Sequence, residues 1–197
     1  MSGDPLVSVC IPAYNCEKYV SACIESVLSQ TFHNIEIIVI DDCSTDATWE
    51  RLQAYSDHRL SLSRNTQNLG AEKNWNACLE QASGEYIQFL PSDDMLYPEA
   101  IAKRLAVLEV TGNRDLSFVF SARHIVDGED KRVMTALLSK AGRRDRSDLV
   151  QQNVTRGMNV IGEPACVLFR SSCAMKAGGF SAKLPYLIDL DYWIRLL

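Results

Sequence analysis

Apolar and polar positions change their period repeatedly along this chain. Leu6 to Ile11 is a short β-rich run stopped by Pro12, and from about Cys16 to Gln30 apolar residues recur at helical spacing. Asn15 is placed to cap that helix. Ile35 to Ile40 predicts a second strand, and Ser44 or Thr45 is placed to cap a helix running to about Tyr55. Leu60 to Ser63 predicts a weak third strand, and Asn68-Leu69-Gly70 turns into a helix from about Ala71 to Ala82. Ser83-Gly84 ends it, Tyr86 to Leu90 predicts a fourth strand, and Pro98 suits the first turn of a helix reaching about Val110. The run IEIIVI has the adjacent apolar residues of a strand buried on both faces. Four strand–helix alternations with short connections predict right-handed crossovers and a Rossmann-like, doubly wound, mostly parallel α/β sheet.

After Gly112 the pattern changes. Leu116 to Val126 reads as one long strand, and Asp127-Gly128-Glu129-Asp130 as a turn. Residues 131–150 read as a polar stretch with a basic knot of Lys140, Arg143, Arg144 and Arg146, which is either a solvated face or a contact for an anionic acceptor or membrane surface. Ala165 to Phe169 predicts another strand, and Gly178-Gly179-Phe180 a turn. From Asp189 to Leu197, the residues Leu190, Trp193, Ile194 and Leu197 share one helical face. The chain stops there after about two turns, which predicts a domain cut short at its carboxyl end. One domain is expected, with one half over residues 5–112 and a smaller one over 113–197.

Composition narrows the classes. The 197 residues are 47% hydrophobic and 23% charged, as in ordinary globular domains. A formal charge of −5 gives no footprint for duplex nucleic acid. No run approaches the roughly 18 apolar residues of a membrane span, and MSGDPLVSVC lacks the features of a secretory signal, so a cytoplasmic protein is expected. The seven cysteines are odd in number and lack a C-x-x-C, which predicts reduced thiols, and the three histidines form no ligand-spaced cluster.

Two acidic pairs carry the chemistry. Asp41-Asp42 close IEIIVI, and Asp93-Asp94 follow YIQFLP. A parallel sheet gathers its binding groups beyond the carboxyl ends of its strands. Carboxylates are poor structural groups there, because buried unpaired charge is costly. Of the first pair, one member can cap the next helix while the other accepts hydrogen bonds from a nucleobase or from ribose hydroxyls. Tyr14 lies beside them, either as a stacking platform for a base or as a partly buried core residue. The second pair either caps the helix near Pro98 or binds a hard divalent ion, Mg2+ or Mn2+, whose shell is completed by phosphate oxygens and water. The chain has no P-loop and no G-x-G-x-x-G after its first strand, and no Ser or Cys has an obvious His partner. A metal-bound phosphate ester recognised through its base remains.

The segments VSVCIPAYNCEKYVSACIESVLSQTF, IEIIVIDDCSTDAT, NLGAEKNWNACLEQASGEYIQFLPSDD and LYPEAI closely resemble family 2 glycosyltransferases of the GT-A fold. The resemblance runs from about Leu6 to Leu108 and resumes in EPACVLFRSSCAMKAGGF and IDLDYWIRLL. It implies that Pro12, Ala13 and Tyr14 line the base pocket, that Asp42 bonds the base of a UDP- or dTDP-sugar, and that Asp41 neighbours it. Asn68 and Gly70 begin the segment passing near the donor. Asp93 and Asp94 match the family's D-x-D-type element, with Asp94 favoured for the metal and Asp93 for hydroxyls or the metal. Pro91 stands where that element usually begins with Asp. The catalytic base aligns with Asp189, with Ile188 in place of the usual Glu and Asp191 as the alternative; a helix dipole and metal charge would lower its pKa.

The activity so implied is inverting, metal-assisted transfer of one sugar to an acceptor hydroxyl of a glycan or lipid-linked molecule, in cell-surface polysaccharide or glycan synthesis. No Gln-x-x-Arg-Trp of processive members is present. The location implied is the cytoplasm or the inner face of the membrane. The rival readings are a glycosyltransferase-like domain that holds nucleotide without turnover, and a nucleotidyltransferase.

Overall fold

The computed structural model describes residues 4–129, 131–136 and 140–197. Asp130 of the expected turn and residues 137–139 of the expected polar stretch lie outside these. The two long apolar runs form β1 (Val7–Ala13) and β2 (Ile35–Asp41), and every residue of β1 is buried. Between and after them come α1 (Val20–Leu28), α2 (Thr48–Gln53), β3 (Leu60–Arg64), α3 (Ala71–Gln81), β4 (Tyr86–Phe89) and α4 (Ala100–Leu108). The second half adds β5 (Phe118–Phe120), β6 (Arg123–Val126), β7 (Arg132–Ala136), α5 (Arg146–Arg156), β8 (Val167–Arg170), α6 (Ser171–Ala177) and α7 (Ile188–Leu196).

The main sheet has the order β3-β2-β1-β4-β8-β5. Strands β1 to β4 are mutually parallel, and β8 runs antiparallel to both of its neighbours, so β5 has the common sense again. Helices α1, α2 and α4 pack on one face, around Val9, Ile11, Ile37 and Val39. Helices α3, α5 and α7 cover the other, where Phe89, Phe169, Phe180, Tyr192 and Trp193 form an aromatic cluster. Gly84 leads into β4 so close to β1 that a Cβ there would lie 2.7 Å from the Ser8 nitrogen and 2.8 Å from the Leu6 oxygen. A mostly parallel α/β sheet with helices on both faces is thus as expected.

Several boundaries differ from the sequence pattern. β1 runs through Pro12 to Ala13, because β4 pairs with β1 only as far as Cys10↔Phe89. Cys10 and Pro12 point their backbone groups to the β4 side, as the Leu90 N–H to Cys10 oxygen bond shows, so the missing proline N–H forfeits no ladder bond. α1 begins at Val20 rather than Cys16, and Asn15 does not cap it. Asn15 sits at φ 47° and its Oδ1 accepts the Thr45 N–H at 2.8 Å. Ser44 and Thr45 likewise do not cap α2, whose entry is set by Asp46 accepting the Thr48 N–H at 3.0 Å. Pro98 lies in the turn before α4 and not within it.

The expected strand Leu116–Val126 is two strands in different sheets. β8 offers β5 only the partners Val167 to Phe169, and beyond Ser121 the chain leaves to pair as the β6–β7 hairpin. The expected polar stretch holds β7 and α5. The latter is announced only by its cap, Asp145, which accepts the Asp148 N–H at 2.8 Å. α6 went unpredicted because none of its residues is buried, which leaves no apolar stripe to read.

Candidate functional site

Strands β1, β2 and β4 end at one rim of the sheet, and there the chain assembles its polar groups. Because β8 is reversed, its amino end lies at that rim too, so the loop Gly162–Cys166 joins residues from the carboxyl ends of the others. Pro12 and Ala13 are buried at the end of β1, and Tyr14 follows with 49% of its surface open. The Ser92 hydroxyl meets the Cys16 thiol, which joins the loop after β4 to the loop after β1.

The first acidic pair is heavily engaged. Asp41 is fully buried; its carboxylate pairs with Arg64 Nε at 2.9 Å, accepts the Ser44 N–H at 3.2 Å and accepts the Ser44 hydroxyl. Arg64 lies over the Trp49 ring, so Asp41 ties β2 to β3 and faces no open space. Asp42 is 2% exposed. Its Oδ1 accepts Asn65 Nδ2 at 2.7 Å and the Leu69 N–H at 2.9 Å, while Oδ2 accepts the Gly70 N–H at 2.9 Å. Asn68 adds a 3.4 Å bond to the Asp42 carbonyl, and Gly70 takes φ 82°. Asp42 thereby fixes the whole Asn68–Gly70 turn at the rim.

The second pair is open. Asp93 is exposed and Asp94 half-buried. Burial, then the Asp93 and Glu163 carboxylates, push the Asp94 carboxyl up to about 6, with Arg123 pulling the other way. Such uncompensated acid is relieved by a cation. Among the described residues no three His, Cys, Asp or Glu side chains stand close enough to cage a metal. Two carboxylates with an otherwise open shell suit a hard ion that takes phosphate oxygens and water as its remaining ligands.

Asp189 opens α7, and the side chain of Asn159 donates to its Oδ2 at 2.9 Å and to the Gly162 oxygen at 3.0 Å. Trp193 Nε1 donates to the same Gly162 oxygen at 3.1 Å. Burial pushes the Asp189 carboxyl up, and Glu163 adds to the effect. The expectation that the helix dipole lowers this pKa is therefore corrected: desolvation outweighs the N–H groups of a short helix. Asp191 faces elsewhere. It pairs with Arg195 at 2.9 Å, and Arg195 continues to the Ala177 oxygen at 2.6 Å and over the Tyr192 ring, which locks α7 to α6.

Glu163 is the residue the sequence reading passed over. It was visible as the first letter of EPACVLF, but no strand ends there, and the carboxyl-end rule does not point to the start of a reversed strand. Its charge bears on both Asp94 and Asp189, and Arg123 from β6 clamps it through Nη2 at 2.9 Å and through Nε. Gly162, at φ 116°, leaves room for Arg123, whose Nη1 would stand 3.1 Å from a Cβ there. The rim thus brings together the open acidic pair Asp93–Asp94 and the desolvated Asp189, with the Glu163 carboxylate bearing on both Asp94 and Asp189. The basic knot lies apart and is largely paired, Arg143 with Asp115 and Arg144 with Asp148.

The sequence profile described as Glycosyl transferase family 2 matches residues 8–174. The putative glycosyltransferase EpsE of Bacillus subtilis is 39% identical over 203 residues, covering 99% of this chain and 68% of EpsE. The matches to other curated relatives span 41–62% of those proteins' length. Among solved structures, S. aureus TarS (residues 1–349) in complex with UDP-GlcNAc superposes with TM-score 0.73 at 22% identity, over 98% of this chain and 54% of TarS. The mannosyltransferase PcManGT from Pyrobaculum calidifontis, in complex with GDP-Man and Mn2+, gives 0.65 at 17% identity, over 92% and 49%. Both likenesses are of fold, and the fold is that of GT-A glycosyltransferases.

Proposed function

The chain belongs to glycosyl transferase family 2, and from that premise we propose that it moves a sugar from a UDP- or dTDP-sugar to an acceptor hydroxyl, with inversion and metal assistance. The observation that carries the reading is the pairing of an under-compensated Asp94 with a desolvated Asp189 across the open rim, with Glu163 influencing both. Tyr14, beside Pro12 and Ala13, offers a stacking face for the base, and Asp42 with Asn68 and Gly70 forms the polar wall of that pocket. The UDP-GlcNAc held by TarS and the GDP-Man with Mn2+ held by PcManGT support a nucleotide-sugar donor and a divalent ion.

Asp94, with Asp93, would hold the divalent ion. When bound, that ion supplies positive charge against the diphosphate as negative charge develops on it. Asp189 accepts the proton of the acceptor hydroxyl, whose oxygen bonds to the anomeric carbon as the carbon–diphosphate bond breaks and its electron pair leaves with the diphosphate. A raised pKa makes Asp189 the stronger base, and Asn159 keeps its Oδ2 oriented. Asp191 is committed to Arg195 and is the poorer candidate. Residues 5–112 would then be the donor-binding half and 113–197 the acceptor side, with a glycan or lipid-linked acceptor in polysaccharide synthesis.

The test is release of nucleotide from UDP-glucose, UDP-GlcNAc, dTDP-glucose and GDP-mannose, with Mn2+ or with chelator. Mn2+-dependent release from a UDP- or dTDP-sugar, lost in Asp189→Asn, is expected. Turnover of GDP-mannose alone, or turnover unaffected by chelator, contradicts the reading.

A further inference from the structure

Arg104 is a buried cation that the proposed chemistry leaves unused. It sits on α4 with 8% of its surface exposed, and it has no carboxylate partner among the described residues. Its Nε has no hydrogen-bond acceptor, and burial lowers its pKa to about 10. An unpaired guanidinium inside a protein is costly, and an apolar side chain of the same length would fill the site more cheaply. The bonds it does make lead to one place.

Nη1 donates to Gln88 Oε1, and Nη2 donates to the Ser121 hydroxyl at 2.9 Å. A guanidinium can only donate, so it fixes which end of the fully buried Gln88 amide faces it. The Gln88 NH2 is thereby turned toward the carbonyls of Phe89 at 3.0 Å, Ala165 at 3.3 Å and Pro164 at 3.4 Å. Pro164 and Ala165 directly follow Glu163, and the Cys166 N–H closes a turn on the Glu163 oxygen at 2.9 Å. The other arm reaches the same residue. Ser121 is bonded through its own N–H to the Cys166 oxygen at 3.1 Å, and two residues on is Arg123, which clamps the Glu163 carboxylate.

Both arms hold the backbone that directly follows Glu163, whose carboxylate is half exposed and clamped by Arg123. The Asn159 side chain bridges its neighbour Gly162 to Asp189, and Gln88 lies on the strand that leads to Asp94. In a single displacement the sugar must lie between the diphosphate and the base. A fixed carboxylate beside that space can accept two sugar hydroxyls and still hold Arg123.

We propose that Glu163 reads the hydroxyls of the transferred sugar, and that the buried Arg104 positions it through Gln88 and Ser121. This rests on the transferase reading above and adds the sugar-selecting residue and its support. Arg104 touches no substrate.

The test is calorimetric titration with UDP and, separately, with UDP-glucose and UDP-GlcNAc, all with Mn2+. The proteins are the wild type, Glu163→Gln, Arg104→Met, Arg104→Lys and Gln88→Glu. The wild type is expected to bind one of the UDP-sugars more tightly than UDP. Glu163→Gln and Arg104→Met should each weaken that UDP-sugar about tenfold more than they weaken UDP. Arg104→Lys, which keeps the charge and donors, should recover part of the loss. Gln88→Glu retains an acceptor for Arg104 and creates an ion pair but no longer holds the 164–165 carbonyls. It should show the same sugar-specific loss while UDP binding still reports a folded pocket, which separates positioning from folding even if Arg104→Met folds poorly. Equal weakening of UDP and UDP-sugar in these variants, or none at all, overturns the inference and leaves the transferase reading standing. A wild type that binds neither UDP nor a UDP-sugar overturns both.

Discussion

Replacing Asp42 by Asn should cost the fold about as much as any single polar change in the chain. The carboxylate is 2% exposed and accepts three N–H groups, from Asn65 at 2.7 Å, Leu69 at 2.9 Å and Gly70 at 2.9 Å. With the amide oxygen in the Oδ1 place, two bonds survive but lose their charged acceptor, worth about 1 kcal/mol each. The amide nitrogen then meets the Gly70 N–H, donor against donor. That costs about 1–3 kcal/mol, eased by the bond Gly70 also makes to Asn68 Oδ1 at 3.1 Å. The sum is about 3–5 kcal/mol, or roughly 10 °C in Tm for a domain of this size. Urea unfolding followed by far-ultraviolet circular dichroism measures it, with UDP binding as a second readout because the Asn68–Gly70 wall should loosen. A loss below about 1 kcal/mol would refute the argument that Asp42 organises the turn.

Asp94→Asn should stabilise the ligand-free protein at pH 8, measured as Tm in chelator. Asp94 has its pKa raised to about 6, so in the folded state its protonated form is favoured, and its contribution to stability is present at low pH and is lost as pH rises through about 4 to 6. The wild-type minus variant difference should therefore vanish toward pH 4. Asp189→Asn should lower sugar transfer at least about 1000-fold while UDP still binds, whereas Asp191→Asn should cost about 1 kcal/mol of stability through Arg195 and leave transfer within a few-fold. Gly84→Ala should cost about 3 kcal/mol or prevent folding, because its Cβ meets backbone atoms of β1 that cannot move aside.

The pattern of apolar residues was enough to place β1, β2 and β4, which are buried on both faces, while the half-buried edge strand β3 leaves only a weak run. It failed where side chains do local work that leaves no period. Asn15, Ser44 and Thr45 all look like caps, but Asn15 and Thr45 bond each other across two loops, a contact that sequence order does not display. α5 is a polar helix that only its cap Asp145 marks, and α6 packs only the partly buried Cys173, Ala174 and Ala177 against the core. At the site, the acidic pairs and Asp189 stood out by position and by resemblance. Asp41 proved to be bound into the fold by Arg64, which no spacing foretold. Glu163 and Arg104 carry no period or motif that marks them, because their placement follows from the reversal of β8 and from burial.

The central claim is a nucleotide pocket completed by a metal on Asp94. Its most direct test is thermal protection by UDP, dTDP, GDP and ADP, each with Mn2+ and with chelator, on the wild type and Asp94→Asn. A rise in Tm with UDP or dTDP and Mn2+, abolished both by chelator and by the substitution, is the expected result. An equal rise in chelator or in Asp94→Asn, or protection by GDP or ADP alone, would contradict it.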